Sequence, residues 1–335
     1  MSAVEGLVSR RVAARSVRAL FTTPRFLIYL SCTALAVLTS HLLGKEMMWD
    51  TLAYHFYAGF SALHDRFGRD YFAAGTQTYL NPYVYVPFYA LARSGLSAVW
   101  AAAVLAVVQS GILWLTYELA IAVSPPDNTG SRIAAGACAA LLALLNPILI
   151  NQIGSSYSDI LTAEIVLAAW LLLVHALRSP SAARIVGAGL LLGAVTALKL
   201  TNSLHALSAG VLLLFLPIDW RRKIRLSLGF VAAGALSFVA VTAPWAVRLE
   251  QHFGNPLFPL FNNVFHSPYF PPTAPVDYRF VPSSLAEAHT GGRGIRLVRH
   301  FADELHHVGS AAGNQLTLVF RTPRPAATRA ADSGA

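Results

Sequence analysis

Charged side chains are scarce in this chain. Asp, Glu, Lys and Arg make up 12% of its 335 residues, about half of the ~25% that is usual in soluble domains. Apolar residues make up 55% and the mean hydropathy is +0.53. Several apolar runs reach the ~20 residues that span a bilayer. The composition therefore excludes a soluble protein with a large apolar core and indicates an integral membrane protein.

The sequence also lacks the motifs of nucleotide-driven pumps. It contains no Gly-rich phosphate loop, no Walker sequence and no HExxH pair. Its two cysteines, Cys32 and Cys138, both lie within apolar runs and are predicted to be inert packing residues. The net charge is +9, but the basic residues lie between the apolar runs. Membrane topology explains that placement better than nucleic-acid binding does.

The apolar runs predict an all-α membrane protein, a polytopic bundle of about seven transmembrane helices within residues 26–250. The predicted spans are 26–43, 96–122, 132–150, 159–177, 183–200, 203–217 and 226–247. Segment 203–217 is short, so we expect it to be tilted, distorted or partly re-entrant. A large first outer loop, 44–95, separates the first two spans.

The distribution of basic residues predicts the orientation of these spans. Residues 1–25 carry five arginines and one acid, and no small-residue cleavage site follows the first apolar run. We therefore expect an uncleaved first span with a cytoplasmic N-terminus, not a signal peptide. Loop 44–95 has only four Lys or Arg residues, although it is longer than the predicted cytoplasmic loops 123–131, 178–182 and 218–225 together. The positive-inside rule then places loop 44–95 on the extracytoplasmic side of the inner (plasma) membrane.

The end of the chain has a different composition. Residues 251–310 are predicted to form an outer segment after the last span, and 295–309 an amphipathic helix within it. The histidines of this stretch are His300, His306 and His307. No carboxylate motif accompanies them, so no metal site is predicted. Pro, Ala and Arg are frequent in 311–335, which we expect to be a disordered tail.

Residues 49–89 form the longest stretch in the first two-thirds of the chain that is not simply apolar. Apolar side chains recur there at helical spacing: Leu52, Phe56, Phe60 and Leu63. This spacing predicts an amphipathic helix over 51–64 that lies on the membrane surface. Asp50 stands at its start and has two interpretations, which the spacing leaves equally open. It is an N-cap of the helix, or a partly desolvated general base that takes a proton from an acceptor hydroxyl.

Other polar residues near the outer ends of the spans also have two interpretations each. Lys199 is either a snorkelling lysine, the commoner case, or a point charge that holds a lipid-borne phosphate. Arg248 shares both interpretations. Asp159 lines a site or caps its helix, and Glu164, deeper in the same span, is expected to pair with another polar group. His55 is expected to be half-buried at the interface, with sugar binding or proton transfer as the alternative.

Three motifs of the first outer loop resemble the GT-C superfamily of integral-membrane glycosyltransferases. They are Trp49-Asp50, Tyr54-His55 and the Asn81-Pro82 turn, all after a single span. Segment 193–202, small residues that end in a lysine and a short polar stretch, and segment 254–259 are similar to recurrent segments of the same enzymes. The resemblance covers roughly residues 26–272.

The resemblance implies an enzyme that moves a sugar from a polyprenyl-phosphate carrier to a hydroxyl of a glycan, lipid or protein, with inversion. It implies that Asp50 is the catalytic base. The candidate substrate-binding residues are Tyr54, His55, Asn81, Asp159, Lys199, Asn202 and Arg248. No soluble cofactor is implied and no metal ligand is assigned, while a divalent cation at the carrier phosphate is compatible with this chemistry.

Two alternatives to this enzyme stay open. Enzymes of the superfamily usually continue with more spans, so we expect a C-terminally truncated member, and a non-catalytic membrane subunit is then an alternative. A transporter is the other alternative, although the sequence shows no internal repeat of the kind that many transporters contain.

Overall fold

The computed structural model of the chain describes residues 23–44, 48–70, 73–125, 128–270, 304–310 and 313–319. The chain divides into two compact units, residues 1–274 and residues 275–335. The described part of the first unit is predominantly helical, and the described part of the second unit consists of two strands.

The first unit begins with helix α1 and a surface segment. Helix α1 is Thr23–Leu43, and a π-helical turn, Thr51–His55, continues directly into helix α2, Phe56–Leu63. The short strand β1, Ala73–Thr76, and two 3₁₀ turns, Gln77–Tyr79 and Tyr83–Tyr85, lead to helix α3, Val86–Arg93.

The remaining helices of the first unit are α4, Ala98–Gln109; α5, Gly111–Val123; α6, Thr129–Leu144; α7, Pro147–Gln152; α8, Ser158–Arg178; α9, Ala182–Leu198; α10, Ser203–Leu213; α11, Trp220–Phe253; and α12, Asn262–Phe265. A 3₁₀ turn, Leu200–Asn202, joins α9 to α10.

Within the described residues, four helical stretches are long and apolar enough to cross a membrane. They are Arg25–Leu43, Ala98–Val123, Ser158–Arg178 and Trp220–Phe253. Three shorter apolar helices, Thr129–Leu144, Ala182–Leu198 and Leu200–Leu213, lie on the other three predicted spans. The structure thus has an apolar helix at each predicted span, and a total of seven crossings stays a prediction because these three are short.

The second predicted span is interrupted at Ser110. Its Oγ donates to the carbonyl of Val107 at 2.7 Å and lies 2.9 Å from Thr33 Oγ1 on α1. Directly after this break, Glu164 Oε1 accepts the backbone N–H of Ile112 at 3.0 Å. Glu164 therefore pairs with a polar group, as expected, and satisfies a backbone donor at the start of α5.

Basic side chains tie together the three loops at one end of the bundle. At each loop, a basic residue near the start of the second helix donates to a carbonyl at the carboxyl end of the first helix. These bonds are Arg132 to Ile121, Arg184 to Ser179 and Lys223 to Leu214. Such carbonyls have no partner within their own helix and carry the negative end of its dipole, so cations satisfy them. Bonds from Arg178 to Ser124 and from Arg222 to Pro180 link the loops to one another, and the loops predicted to be cytoplasmic therefore adjoin.

Helices α9 and α11 pack against each other through glycine. A Cβ atom on Gly193 would lie 2.0 Å from the carbonyl oxygen of Gly234, and one on Gly189 would lie 2.4 Å from that of Phe230. The two contacts are four residues apart on both helices, so the helices are parallel. Small residues with this spacing allow apolar helices to approach closely. The carboxyl ends of α9 and α11 consequently lie at the same end of the bundle.

Helix α2 buries its small side chains and exposes its large apolar ones. Ala58 and Ala62 are buried, whereas Leu52 before it and Leu63 are exposed. Gly59 lies so close to α3 that a Cβ atom would be 2.5 Å from Tyr89 Cβ. The predicted apolar stripe is thus turned away from the protein, the orientation expected of a surface helix beside lipid.

Two predictions for the second unit are wrong. Strands β2, Glu304–Ser310, and β3, Gly313–Val319, form an antiparallel hairpin in which Glu304 is opposite Val319. The predicted helix over 295–309 is therefore a strand from residue 304 onward, and 313–319 is not disordered. The backbone N–H and C=O groups of each strand bond to those of the other strand. The spacing of apolar residues within one segment does not reveal such a pairing between two segments. The rest of both predicted segments, His300 included, lies outside the described residues.

The cysteine prediction holds for one of two residues. Cys32 is buried, but Cys138 is exposed on α6. Because Cys138 is exposed, the packing assigned to it from its apolar surroundings is wrong.

Candidate active site

A cavity of about 550 Å³ opens at the end of the bundle opposite the linked basic loops. Its size is within the ~300–1,000 Å³ of ordinary ligand sites. The polar and aromatic side chains that line it are Asp50, Tyr54, Gln77, Tyr79, Asn81, Tyr85, Tyr157, Ser158, Asp159, Lys199, Thr201, Phe238, Thr242, Trp245 and Phe258. Residues from the first outer loop thus meet residues from α8, α9 and α11, which are at least 73 positions later in the chain.

Asp50 lies in this cavity and is not an N-cap. Its backbone is helical, with φ −61° and ψ −35°, and its side chain makes no capping hydrogen bond. The N-cap interpretation is wrong because the helical turn begins before Asp50, at Trp49. The Tyr157 hydroxyl donates to Asp50 Oδ2 at 3.0 Å. The π-helical turn that follows is a local irregularity of a kind often found at functional sites.

His55 supports the wall of the cavity but does not line it. Its side chain is 1% exposed and its ring stacks on Tyr85 at 4.6 Å, so the prediction of a half-buried residue is wrong. Nδ1 lies 2.6 Å from Ser156 Oγ. Burial lowers the pKa of His55 to about 4, against the opposing effect of Asp50 and Asp159. The imidazole is therefore neutral at pH 7 and has no direct access to a ligand in the cavity.

The loop before α8 is held by an amide that sequence reasoning missed. Gln109 is fully buried; its Nε2 donates to the carbonyl of Ser155 at 2.9 Å, and its Oε1 accepts the N–H of Gly154 at 2.6 Å. Gly154 has φ +76°, and a Cβ there would be 2.1 Å from Ser40 Oγ. The loop is thus fixed on both sides, which fixes Tyr157 beside Asp50. The sequence did contain a signal for this role: Gln109 is an isolated amide within a long apolar run, and a buried amide needs hydrogen-bond partners.

Asp159 and Lys199 form an ion pair that lines the same cavity. Lys199 Nζ lies 2.5 Å from Asp159 Oδ1, and the side chains are 34% and 48% exposed respectively. Asp159 is in the first turn of α8, and Lys199 directly follows the last turn of α9. The sequence singled out both residues but not their pairing, since 40 positions separate them.

Tyrosines form much of the cavity wall next to Asp50. The rings of Tyr54 and Tyr85 meet edge to face at 6.0 Å, and Tyr85 Oη lies 3.4 Å from Ser158 Oγ. Burial raises the pKa of Tyr54 and of Tyr85. Both phenols therefore stay protonated at neutral pH and present O–H groups and ring faces together.

The other sequence candidates lie in different places. Asn81 lines the cavity; its Oδ1 accepts the N–H of Tyr83 at 3.1 Å and its Nδ2 donates to the carbonyl of Val241 at 3.4 Å. Arg248 does not line the cavity. Its Nη1 donates to the carbonyl of Ala62 at 2.9 Å, so it caps the carboxyl end of α2. Asn202 lies in an adjacent groove and donates to the carbonyl of Val195 at 3.4 Å.

Two smaller cavities adjoin the main one, and Asp159 lines both of them. The lateral groove, about 380 Å³, is lined by Asp159, Thr162, Ala163, Val166, Leu167, Lys199, Thr201, Asn202 and His205. The second, about 290 Å³, lies between α5, α7 and α8. A single carboxylate thus borders all three spaces.

The described residues do not suit a resident metal ion. Among them, no group of three or more His, Cys, Asp or Glu side chains has the arrangement that a metal ion needs. Two carboxylates, Asp50 and Asp159, line the main cavity, and the second is already paired with Lys199. The described residues therefore show no metal site built from protein ligands alone, and a divalent cation at the carrier phosphate stays a prediction.

Comparison of the chain with protein-family models, with curated proteins and with solved structures finds no match.

Proposed function

We propose that this protein is a glycosyltransferase of a cell membrane that transfers a sugar from a polyprenyl-phosphate carrier to a hydroxyl acceptor. In this proposal the chain spans the inner (plasma) membrane several times with its N-terminus in the cytoplasm. The cavity then faces the extracytoplasmic side, and the linked basic loops face the cytoplasm.

The proposed reaction is a single displacement at the anomeric carbon. The acceptor oxygen forms a bond to that carbon, and the bond from carbon to the carrier phosphate oxygen breaks with its electron pair. Asp50 accepts the proton of the acceptor hydroxyl, and the phosphate leaves as an anion beside Lys199. Attack from the face opposite the phosphate inverts the anomeric configuration.

One observation carries the proposal: Asp50 and Lys199 line the same cavity. A base and a cation are the two groups that this displacement needs, one for the proton and one for the leaving phosphate. The Tyr157 hydroxyl donates to Oδ2 of Asp50 and thereby orients the carboxylate. In the proposal, Oδ1 takes the proton of the acceptor. The ring of Tyr54, a partly exposed side chain on the cavity wall, suits the apolar face of a sugar.

Exchange of Asp50 for Asn tests the proposal. We expect Asp50→Asn to retain the fold and to lose at least 100-fold in transfer rate, within the ~10²–10⁴ that a general base contributes. The measurement is release of polyprenyl phosphate from a panel of polyprenyl-phosphate hexoses and pentoses by the protein in liposomes, with hydroxyl-bearing glycans, glycolipids and peptides supplied as acceptors. Asp65→Asn is the matched control, since Asp65 pairs with His252 at 2.9 Å and does not line the cavity.

Two results would contradict the proposal. Unchanged transfer in Asp50→Asn would remove the base assignment. Wild-type protein that moves a lipid-linked sugar across sealed vesicles, with no release of polyprenyl phosphate, would indicate a transporter instead.

A further inference from the structure

Lys199 is the one Lys or Arg side chain among the described residues that line the main cavity, the lateral groove and the smaller third cavity. It borders both the main cavity and the lateral groove, and so does its partner Asp159. Asp50 adds a second carboxylate to the main cavity. The formal charges of the three groups sum to −1, so an anion that enters meets net negative charge while the pair is intact.

The pair is open to exchange. Both side chains are at least one-third exposed, and water weakens an ion pair of this kind. A phosphate oxygen satisfies a lysine ammonium as well as a carboxylate oxygen does, and a phosphate carries more charge. Lys199 has three N–H donors, and Asp159 accepts from one of them, so an incoming phosphate competes with Asp159 for the charge of Lys199.

We propose that Asp159 is a specificity-determining residue that competes with incoming phosphate for Lys199 and thereby excludes weakly bound anions from the cavity. The ligand class is a phosphate ester on an apolar chain. The assignment of phosphate as the ligand rests on the proposed function. The competition between a phosphate and Asp159 for Lys199 does not require sugar transfer.

The lateral groove explains how such a ligand overcomes the competition. Ala163, Val166 and Leu167 give it an apolar wall directly beside Lys199. Separation of the pair costs the same for every anion. A chain attached to the phosphate buries apolar area against this wall and offsets that cost, and free phosphate has no such contact. Free anions therefore stay unbound at concentrations at which a chain-bearing phosphate binds.

Binding measurements on the full chain in nanodiscs test this inference. The probes are geranyl phosphate, inorganic phosphate and uncharged geraniol, each titrated at fixed ionic strength. We expect Asp159→Asn to bind both phosphates about tenfold more tightly than wild type, because one nearby negative charge is gone. We expect Lys199→Gln to bind both about tenfold more weakly. The double variant should gain less from the Asn than the single variant does, because only the repulsion by the carboxylate is then removed. Geraniol binding should not change in any variant.

A matched control and a second variant make the outcome decisive. Asp65→Asn breaks another exposed ion pair outside the three cavities and should leave the affinity for every probe unchanged. Asp159→Ser repeats the test if the Asn variant does not fold. Preference for geranyl phosphate over inorganic phosphate assigns the site to a lipid phosphate, whereas equal affinity would overturn the role of the apolar chain and assign the site to free phosphate.

Three results would overturn the inference: weaker phosphate binding in Asp159→Asn, unchanged binding in Lys199→Gln, or no phosphate binding by any variant. Tighter binding in Asp159→Asn without sugar transfer by wild type would leave this inference standing and remove the proposed function. The two proposals can therefore fail separately.

Discussion

Trp245 Nε1 on α11 donates a hydrogen bond of 2.9 Å to the carbonyl oxygen of Tyr79, 166 residues earlier in the chain. Both side chains are nearly fully buried, and both line the main cavity. Phe67 packs against both of their rings, at 5.2 Å and 5.9 Å. This bond therefore attaches the outer loop to the last long helix at the edge of the candidate site.

Trp245→Phe should loosen that attachment. Loss of the donor leaves a buried carbonyl without this bond and should lower the free energy of unfolding by about 1–3 kcal/mol. Limited proteolysis should then cut the segment around Tyr79 faster than in wild type. Trp100→Phe is the control, since Trp100 is 67% exposed on α4 and should leave both measurements unchanged. Equal proteolysis of wild type and Trp245→Phe would contradict the prediction.

Stability should fall in mild acid because of His55. The pKa of His55 is lowered to about 4 in the folded protein, whereas an unfolded histidine has a pKa of ~6.5. Between these values the unfolded chain binds a proton that the folded chain does not, so stability is complete above pH ~6.5 and decreases as the pH falls toward 4. The decrease should reach about 3 kcal/mol.

Thermal unfolding of His55→Gln against pH measures this effect. The variant should be less stable than wild type at pH 7 and should lose less stability between pH 6.5 and 4. His41→Gln, at an exposed position near the end of α1, should keep the wild-type slope. An identical slope for His55→Gln and wild type would show that another group titrates in this range.

Gly193→Ala should destabilise the bundle strongly. The added Cβ would lie 2.0 Å from the carbonyl oxygen of Gly234, so the parallel helices α9 and α11 must separate, at a cost of about 3 kcal/mol or more. Gly210→Ala is a matched control on α10, because nothing lies within 4 Å of its Cβ position. This control should stabilise by up to about 1 kcal/mol through helix propensity. Thermal unfolding in one detergent compares the two, and equal midpoints would contradict the packing.

Gln109→Leu should lower both the stability of the protein and the transfer rate, although Gln109 does not line the cavity. The substitution removes both hydrogen bonds to the backbone of Gly154 and Ser155, at a cost of about 2–4 kcal/mol. Because the loop carries Tyr157, the orientation of Asp50 should loosen and the transfer rate should fall about tenfold or more at temperatures where the protein is folded. Gln251→Leu, at an exposed position on α11, should change neither quantity. Full activity of folded Gln109→Leu would mean that the amide only stabilises.

The sequence predicts the local parts of this structure better than the long-range ones. The apolar helices and the irregular outer loop could be predicted from the length of the apolar runs and the spacing of apolar residues. Both signals lie in residues that are close together in the sequence. The pairing of Asp159 with Lys199 and the contact of Tyr157 with Asp50 depend on how distant helices pack, and no local pattern records that. Arg248 shows the same limit. Its charge suggested phosphate binding, but its position beside the carboxyl end of α2 gives it carbonyl partners.

The linked basic loops restrict where the bundle can change shape. At their end, Arg178 and Arg222 join one loop to the next through backbone carbonyls, and the helices there cannot separate without breaking these bonds. At the opposite end, one side-chain bond between described residues, from Lys199 to Asp159, joins the end of α9 to α8. We therefore expect the helices to separate most at the cavity and least at the basic loops. A bulky molecule then enters between α8 and α9 while the basic loops stay joined.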